Sequence, residues 1–285
     1  MKQMEWRPFP YGDRAYRYSG TALQEQWERL HCGDREPFPD ATHIADQLNR
    51  CGRALTRDAD PNKVSKALQS AWRDYHAGDF AAAMRTGTAF GPVGAVVAGR
   101  AAIAYAMYLE NDAARALDLL CQTAKNCEAL TLIDPGWANA WFIHALALGR
   151  FSQRISVVKA LGRGLGSKIR QSLMTAIALE PRHAAAHAAL GAYNLEVVDK
   201  VGSVVGHLTH GASREAGLRH FERAIALDPG SPATRMEFAR ALAMDRRKGD
   251  EREAEQNIAA AATCQPFDAI ARLDVERARY EMHGA

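Results

Sequence analysis

The chain has 285 residues, 47% hydrophobic and 24% charged, with a formal net charge of +3. That is the balance of a soluble globular protein able to bury a sizeable core, and it excludes a polycation drawn by bulk charge to nucleic acid or an anionic membrane. Cys32, Cys51, Cys121, Cys127 and Cys264 are odd in number, scattered and without a C-x-x-C, which excludes a disulfide framework or zinc ribbon and suggests a reducing, cytoplasmic setting.

Residues 1–60 are the least regular. "MKQMEWRPFPYGDRAYRYSG" has two prolines and no apolar run, so no signal peptide is expected there. "GTALQEQWERLH" and "ATHIADQLNRCGRALT" read as helices. The segment is expected to pack on the first repeats and cover their exposed edge.

From 61 to 266 the chain reads as helices punctuated by proline. Pro61, Pro92, Pro135, Pro181, Pro229, Pro232 and Pro266 each mark a helix boundary, because proline breaks helix interiors. Helix pairs are expected at 64–77 with 79–90, turning at "HAGDF" with Asp79 as cap, and at 93–109 with 112–132. The stretch 93–109 is the most apolar, but it is short for a membrane span and holds Arg100; it reads as a buried helix.

"AIALEP" at 176–181 returns as "AIALDP" at 224–229. In "FERAIALDP", "LMTAIALEP" and "AEQNIAAAATCQP" the large, small and proline positions keep one phase, that of helix B in the tetratricopeptide pattern. "ANAWFIHALALG", "AAAHAALGAYNLE" and "PATRMEFARALA" follow the prolines as A helices, with Gly191 and the alanines permitting close approach. The expected fold is all-α: an α-solenoid of about five tetratricopeptide-like pairs over 61–266, a wrap at 1–60 and a capping helix at 267–285.

Two repeats exceed the usual length of about 34 residues. The extra residues, 151–165 and 198–213, share a motif: "SVVKALGRG" and "SVVGHLTHG". Val157, Val158, Leu161 and Val204, Val205, Leu208 are expected to shield one another in neighbouring helical extensions, with Gly164 and Gly211 reversing the chain. The plain alternative is a buttress without a binding role.

The expected binding residues are of two kinds. The A-helix groove would present Asn139, Phe142, Leu146 and Arg150, then Glu196, then Arg240. The insertions would add Arg154, Lys159, Arg163, His207 and His210, in a region where 150–179 has no acidic residue. Only Asn139 matches the Lys/Asn clamp of carboxylate-gripping cochaperones. His183 and His187 have ligand spacing, yet His187 fills a core slot and no third ligand is indicated; no metal or cofactor is expected. No catalytic signature occurs, and "GRGLGSK" lacks the strand a phosphate loop requires.

The stretch 136–266, with "LGAYNLE", "DKVGSVVGHLTHGAS" and "GLRHFERAIALDP", resembles the regulators of microtubule dynamics and their bacterial relatives. It is similar, more loosely, to the tetratricopeptide T-component of TRAP transporters. The resemblance implies a helical scaffold and transfers no active site. The expected function is a non-enzymatic adaptor binding a protein segment or helix, an acidic one among the options, without nucleic acid. The alternative is a small-ligand carrier or sensor with an apolar cavity.

Overall fold

The computed structural model describes residues 6–12, 15–156, 159–160, 163–245 and 249–283, without the side chains of 208–210 and 245. Among them the secondary structure is helical, with two short 3-10 turns and no strand. The chain forms two compact units, Met1–Arg29 with Glu36–Leu165, and Leu30–Arg35 with Gly166–Ala285.

The first unit contains α1 (Ala22–Glu25), α2 (Trp27–Leu30), α3 (Ala41–Cys51), α4 (Pro61–Ala77), α5 (Phe80–Ala89), α6 (Ala95–Tyr108), α7 (Ala113–Ile133) and α8 (Ala138–Ser152). Aspartates start several of these helices: Asp40 accepts from His43 N, Asp60 from Asn62 N ahead of Pro61, and Asp112 from Ala114 N and Arg115 N. Gly78, with φ 89°, ends α4 in the left-handed region. Asp79 does not cap α5 as expected; its side chain makes no capping hydrogen bond and faces Arg17 at 3.8 Å. Each helix from α4 to α8 packs on the next, and α4, α6 and α8 also meet as successive A helices. α6, the apolar stretch, is buried on almost every side. Trp6, Trp27, Trp72, Trp137 and Trp141, all the tryptophans of the chain, belong to this unit.

The second unit contains α9 (Leu165–Leu179, from its second residue), α10 (Ala184–Val201), α11 (Ser203–His210), α12 (Arg214–Leu227), α13 (Pro232–Asp245), α14 (Asp250–Ala262) and α15 (Ala269–His283). α10 packs on α12 and α13, α13 on α14, and α15 on both α13 and α14. The expected close approach of A and B helices occurs at Gly191 and Gly217. A Cβ on Gly191 would stand 2.8 Å from the Phe221 ring and 3.0 Å from Gly217 O; one on Gly217 would stand 3.1 Å from Gly191 O. Phe221 then stacks on Phe238, with centroids 4.6 Å apart, in a core shared with Leu195 and Leu242. The B helices α7, α9, α12 and α14 all end just before their prolines, at Ile133, Leu179, Leu227 and Ala262.

Candidate functional site: the A-helix face

In the first unit the A-helix face already holds a non-helical piece of the same chain. Prolines at 37 and 39 bias Glu36 and Phe38 away from helix, so the carbonyls here find partners outside a helix. Glu36 O accepts from Trp27 Nε1 at 2.7 Å; Pro39 O accepts from Ser65 Oγ at 2.8 Å and Gln69 Nε2 at 3.2 Å, both on α4. The Glu36 carboxylate accepts from Asn139 Nδ2 at 2.6 Å and Trp137 Nε1 at 3.3 Å, both at the start of α8. Phe38 meets Trp27 edge-on at 5.0 Å, Trp27 meets Trp72 at 5.6 Å, and Trp72 stacks on His76 at 5.7 Å. Upstream, Trp6 stacks on Tyr105 at 4.0 Å, and Arg115 lies over that ring at 5.5 Å.

The residues expected to line the groove divide accordingly. Asn139 is 1% exposed, its amide turned to Glu36; Phe142 is 3% exposed with the Arg100 guanidinium 5.6 Å from its ring centre. Leu146 and Arg150 are half-buried. Arg150 Nη1 donates to Gln153 Oε1 at 3.3 Å. Arg154 is exposed and donates to Ala106 O and Arg150 O. Lys159 is exposed, and so is Arg163, which lies 5.5 Å over Phe151. These residues of the first unit run from the α8 entrance to the turn beyond its end.

In the second unit Glu196 pairs with Lys200 one turn on. Arg240 is held between Glu237 at 3.3 Å and Glu281 at 3.4 Å, so its charge is matched within the unit. Residues 30–35 sit at the entrance of α10: Ala185 N donates to Gly33 O at 2.8 Å, and His31 Nδ1 is 2.8 Å from Asp34 Oδ1 with both side chains buried. Burial, then Asp34, pushes the Asp228 carboxyl upward. A Cβ on Gly33 would come within 2.8 Å of Asp228 Oδ2, so that carboxylate would have to shift.

The second insertion is helical up to Val201, breaks at Gly202 with φ 81°, and resumes as α11. Gly164 and Gly211 both adopt left-handed φ, 62° and 58°, as chain reversal requires. The expected apolar shield is not formed by Val204 and Val205, which are 70% and 50% exposed. α11 folds back on α10 through Gly206, whose Cβ would meet Val197, Val201 and Val198 at 3.4–3.8 Å, and that turns the two valines outward. Val157, Val158 and Leu161 lie outside the described residues. His207 is exposed; His210 ends α11, its side chain outside the description.

The histidines do something other than the spacing suggested. His183 is fully buried and caps α10, its Nδ1 accepting from Ala186 N at 3.0 Å. His187 instead meets His220 of α12, Nδ1 to Nδ1 at 2.9 Å, while its Nε2 faces Pro181 O at 3.3 Å. A carbonyl only accepts, so Nε2 of His187 carries the proton and His220 Nδ1 donates to His187 Nδ1. Among the described residues no group of three or more His, Cys, Asp or Glu could hold a metal ion. Nor is any helix among them long and apolar enough to cross a membrane.

Sequence reasoning missed Glu36, Trp137 and His220. Nothing local pointed from Glu36 to Asn139, 103 residues away.

No family model and no curated protein matches the chain. The solved structures that match include the following two. TTC0263, a thermophilic TPR protein of Thermus thermophilus, aligns with a TM-score of 0.53 at 18% identity, over 76% of this chain and 98% of its own. MamA aligns with a TM-score of 0.39 at 16% identity, over 74% and 97% respectively. The chain has a tetratricopeptide-like helical-repeat fold of the all-α solenoid class.

Proposed function

We propose that this protein is a non-enzymatic scaffold of a reducing, cytoplasmic compartment, and that it binds a segment or helix of a partner protein through its A-helix groove and its insertions. The observation that carries this reading is the seating of Glu36–Pro39. This piece of the chain is gripped through its carbonyls, its aromatic side chain and its carboxylate by α2, α4 and α8. The same stacked helices leave Leu146 and Arg150 only half-buried further along α8, where a second polypeptide can lie. Five free cysteines agree with the compartment.

Affinity capture from the native host tests the reading, comparing wild type with Leu146→Asp. Leu146 suits the test better than Phe142, whose burial would confound binding with folding. Partners retained unchanged by Leu146→Asp would remove the groove.

One observation favours a second reading, a small-ligand protein. A half-open cleft of about 370 Å³ lies between α5 and α7 over α6, lined by Met84, Ala98, Ala102, Leu119 and Cys121 among others. That volume falls within the range of ligand pockets. Native mass spectrometry showing a retained small molecule would favour it; a bare chain that still captures a protein would favour the scaffold.

A further inference from the structure

Residues 36–39 are held on the A-helix face through what they accept. Trp27 Nε1, Ser65 Oγ and Gln69 Nε2 donate to their carbonyls, and Asn139 Nδ2 and Trp137 Nε1 to the Glu36 carboxylate. Pro37 and Pro39 have no N–H to give in return. The donors belong to α2, α4 and the start of α8, so the pattern they read belongs to the helices and not to the piece that fills it. Any non-helical segment with a carboxylate and carbonyls at that spacing meets the same donors.

Two observations show that the chain's own segment fits this seat imperfectly. Arg35, directly before Glu36, has φ 54°; among the described residues it is the one non-glycine in the left-handed region. A side chain there costs backbone energy, and a separate segment, with no tether, does not bear that cost. Beneath the segment lies a cavity of about 10 Å³, lined by Glu36, Pro37, Pro39, His43 and Gln47 among others. Gln47 is 1% exposed, and its Oε1 has no hydrogen-bond partner among the described residues. The two prolines cannot supply that donor; a segment with an N–H or hydroxyl there can. Pro37 is exposed and Phe38 only half-buried, so the segment reaches the surface of its seat.

We propose that the seat of residues 36–39 is a docking site closed in cis, and that its partner is a non-helical, proline-biased segment of another protein with a carboxylate two residues ahead of an aromatic. This rests on the scaffold reading and names the partner's chemistry. The chain's own segment competes with the partner and sets how much of the seat is open.

The test is fluorescence anisotropy of the full chain with a labelled synthetic peptide copying residues 33–42. A peptide with Ala at the Glu36 and Phe38 positions is the comparison. The chain carrying Glu36→Ala with Phe38→Ala should bind the copied peptide about tenfold more tightly than wild type, because the competing occupant is weakened. Arg35→Gly removes the strain from the closed form and should bind it about threefold more weakly than wild type. The altered peptide should bind none of the three chains.

Equal affinity of the three chains, no binding by any of them, or equal binding of the two peptides overturns the proposal. If the double variant loses its helical dichroism, wild type against Arg35→Gly decides, and equal affinity there overturns it. Self-association of wild type that the peptide dissolves would give the seat to a second copy and overturn the partner. If the peptide is refused while Leu146→Asp still abolishes capture, this seat is wrong and the scaffold stands.

Discussion

Asn139 Nδ2 and Glu36 Oε2 stand 2.6 Å apart, joining the first turn of α8 to the N-terminal segment. The carboxylate also accepts from Trp137, and Glu36, Trp137 and Asn139 are all buried. Glu36→Ala should therefore leave two buried donors without their acceptor, at a cost of about 1–3 kcal/mol for each one orphaned. Asn139→Asp should cost more, because it sets a second carboxylate against the first. Urea unfolding followed by tryptophan fluorescence measures both, and a loss below about 0.5 kcal/mol would show the contact to be incidental.

Gly191 and Gly217 predict the response of the second unit. Alanine at Gly191 would press a methyl into Phe221 and the Gly217 carbonyl, neither of which can yield cheaply. The expected destabilisation is about 1–3 kcal/mol, against a small gain from alanine's better helix propensity. At Gly149, where a Cβ meets nothing within 4 Å, the same substitution should be neutral or stabilising. Equal melting of the two variants would contradict the close crossing.

The His187–His220 pair makes stability depend on pH. Burial lowers both pKa values; His220, pressed also by His187 and Arg219, falls to about 4, and His187 is lowered further by Arg223 against the Pro181 bond. The unfolded chain, with ordinary histidines near 6.5, then binds protons that the folded pair refuses. The contribution is complete above that value and is lost as pH falls toward about 4. His220→Gln should flatten this part of the profile in chemical denaturation, and a variant that loses stability with acid as steeply as wild type would count against the pair.

Thiol chemistry gives a fourth check. Cys127 is fully buried in α7 and its thiol is pushed up to about 12. An aromatic disulfide reagent should leave it untouched in the native state and react with it only on unfolding, whereas Cys121, half-buried on the same helix, should react earlier.

What could be read from the chain follows the range of the physics. Helix ends are local: Pro135, Pro181 and Pro229 stop α7, α9 and α12 whatever surrounds them. The small slot at Gly191 was legible because the repeat pattern carries the packing of a whole helix pair. The break of the first helix at Gln26 was not, since nothing in "LQEQWE" is a poor helix former. Phe142 and Asn139 have the right A-helix phase, yet phase does not reveal that the chain's own Glu36 and Arg100 cover that face. The exposure of Val204 and Val205 depends on which side of α11 meets α10, and that was settled by the absent side chain of Gly206.

The distribution of tryptophan has an optical consequence. All five indoles lie in the first unit, with Trp72 stacked on His76 and Trp27 edge-on beside it. Emission therefore watches one half of the molecule, while far-ultraviolet dichroism sums the helices of both. Recorded on a single denaturation series, the two signals need no added label to tell whether the halves come apart together. A trace in which dichroism falls while emission holds would be the second unit melting alone.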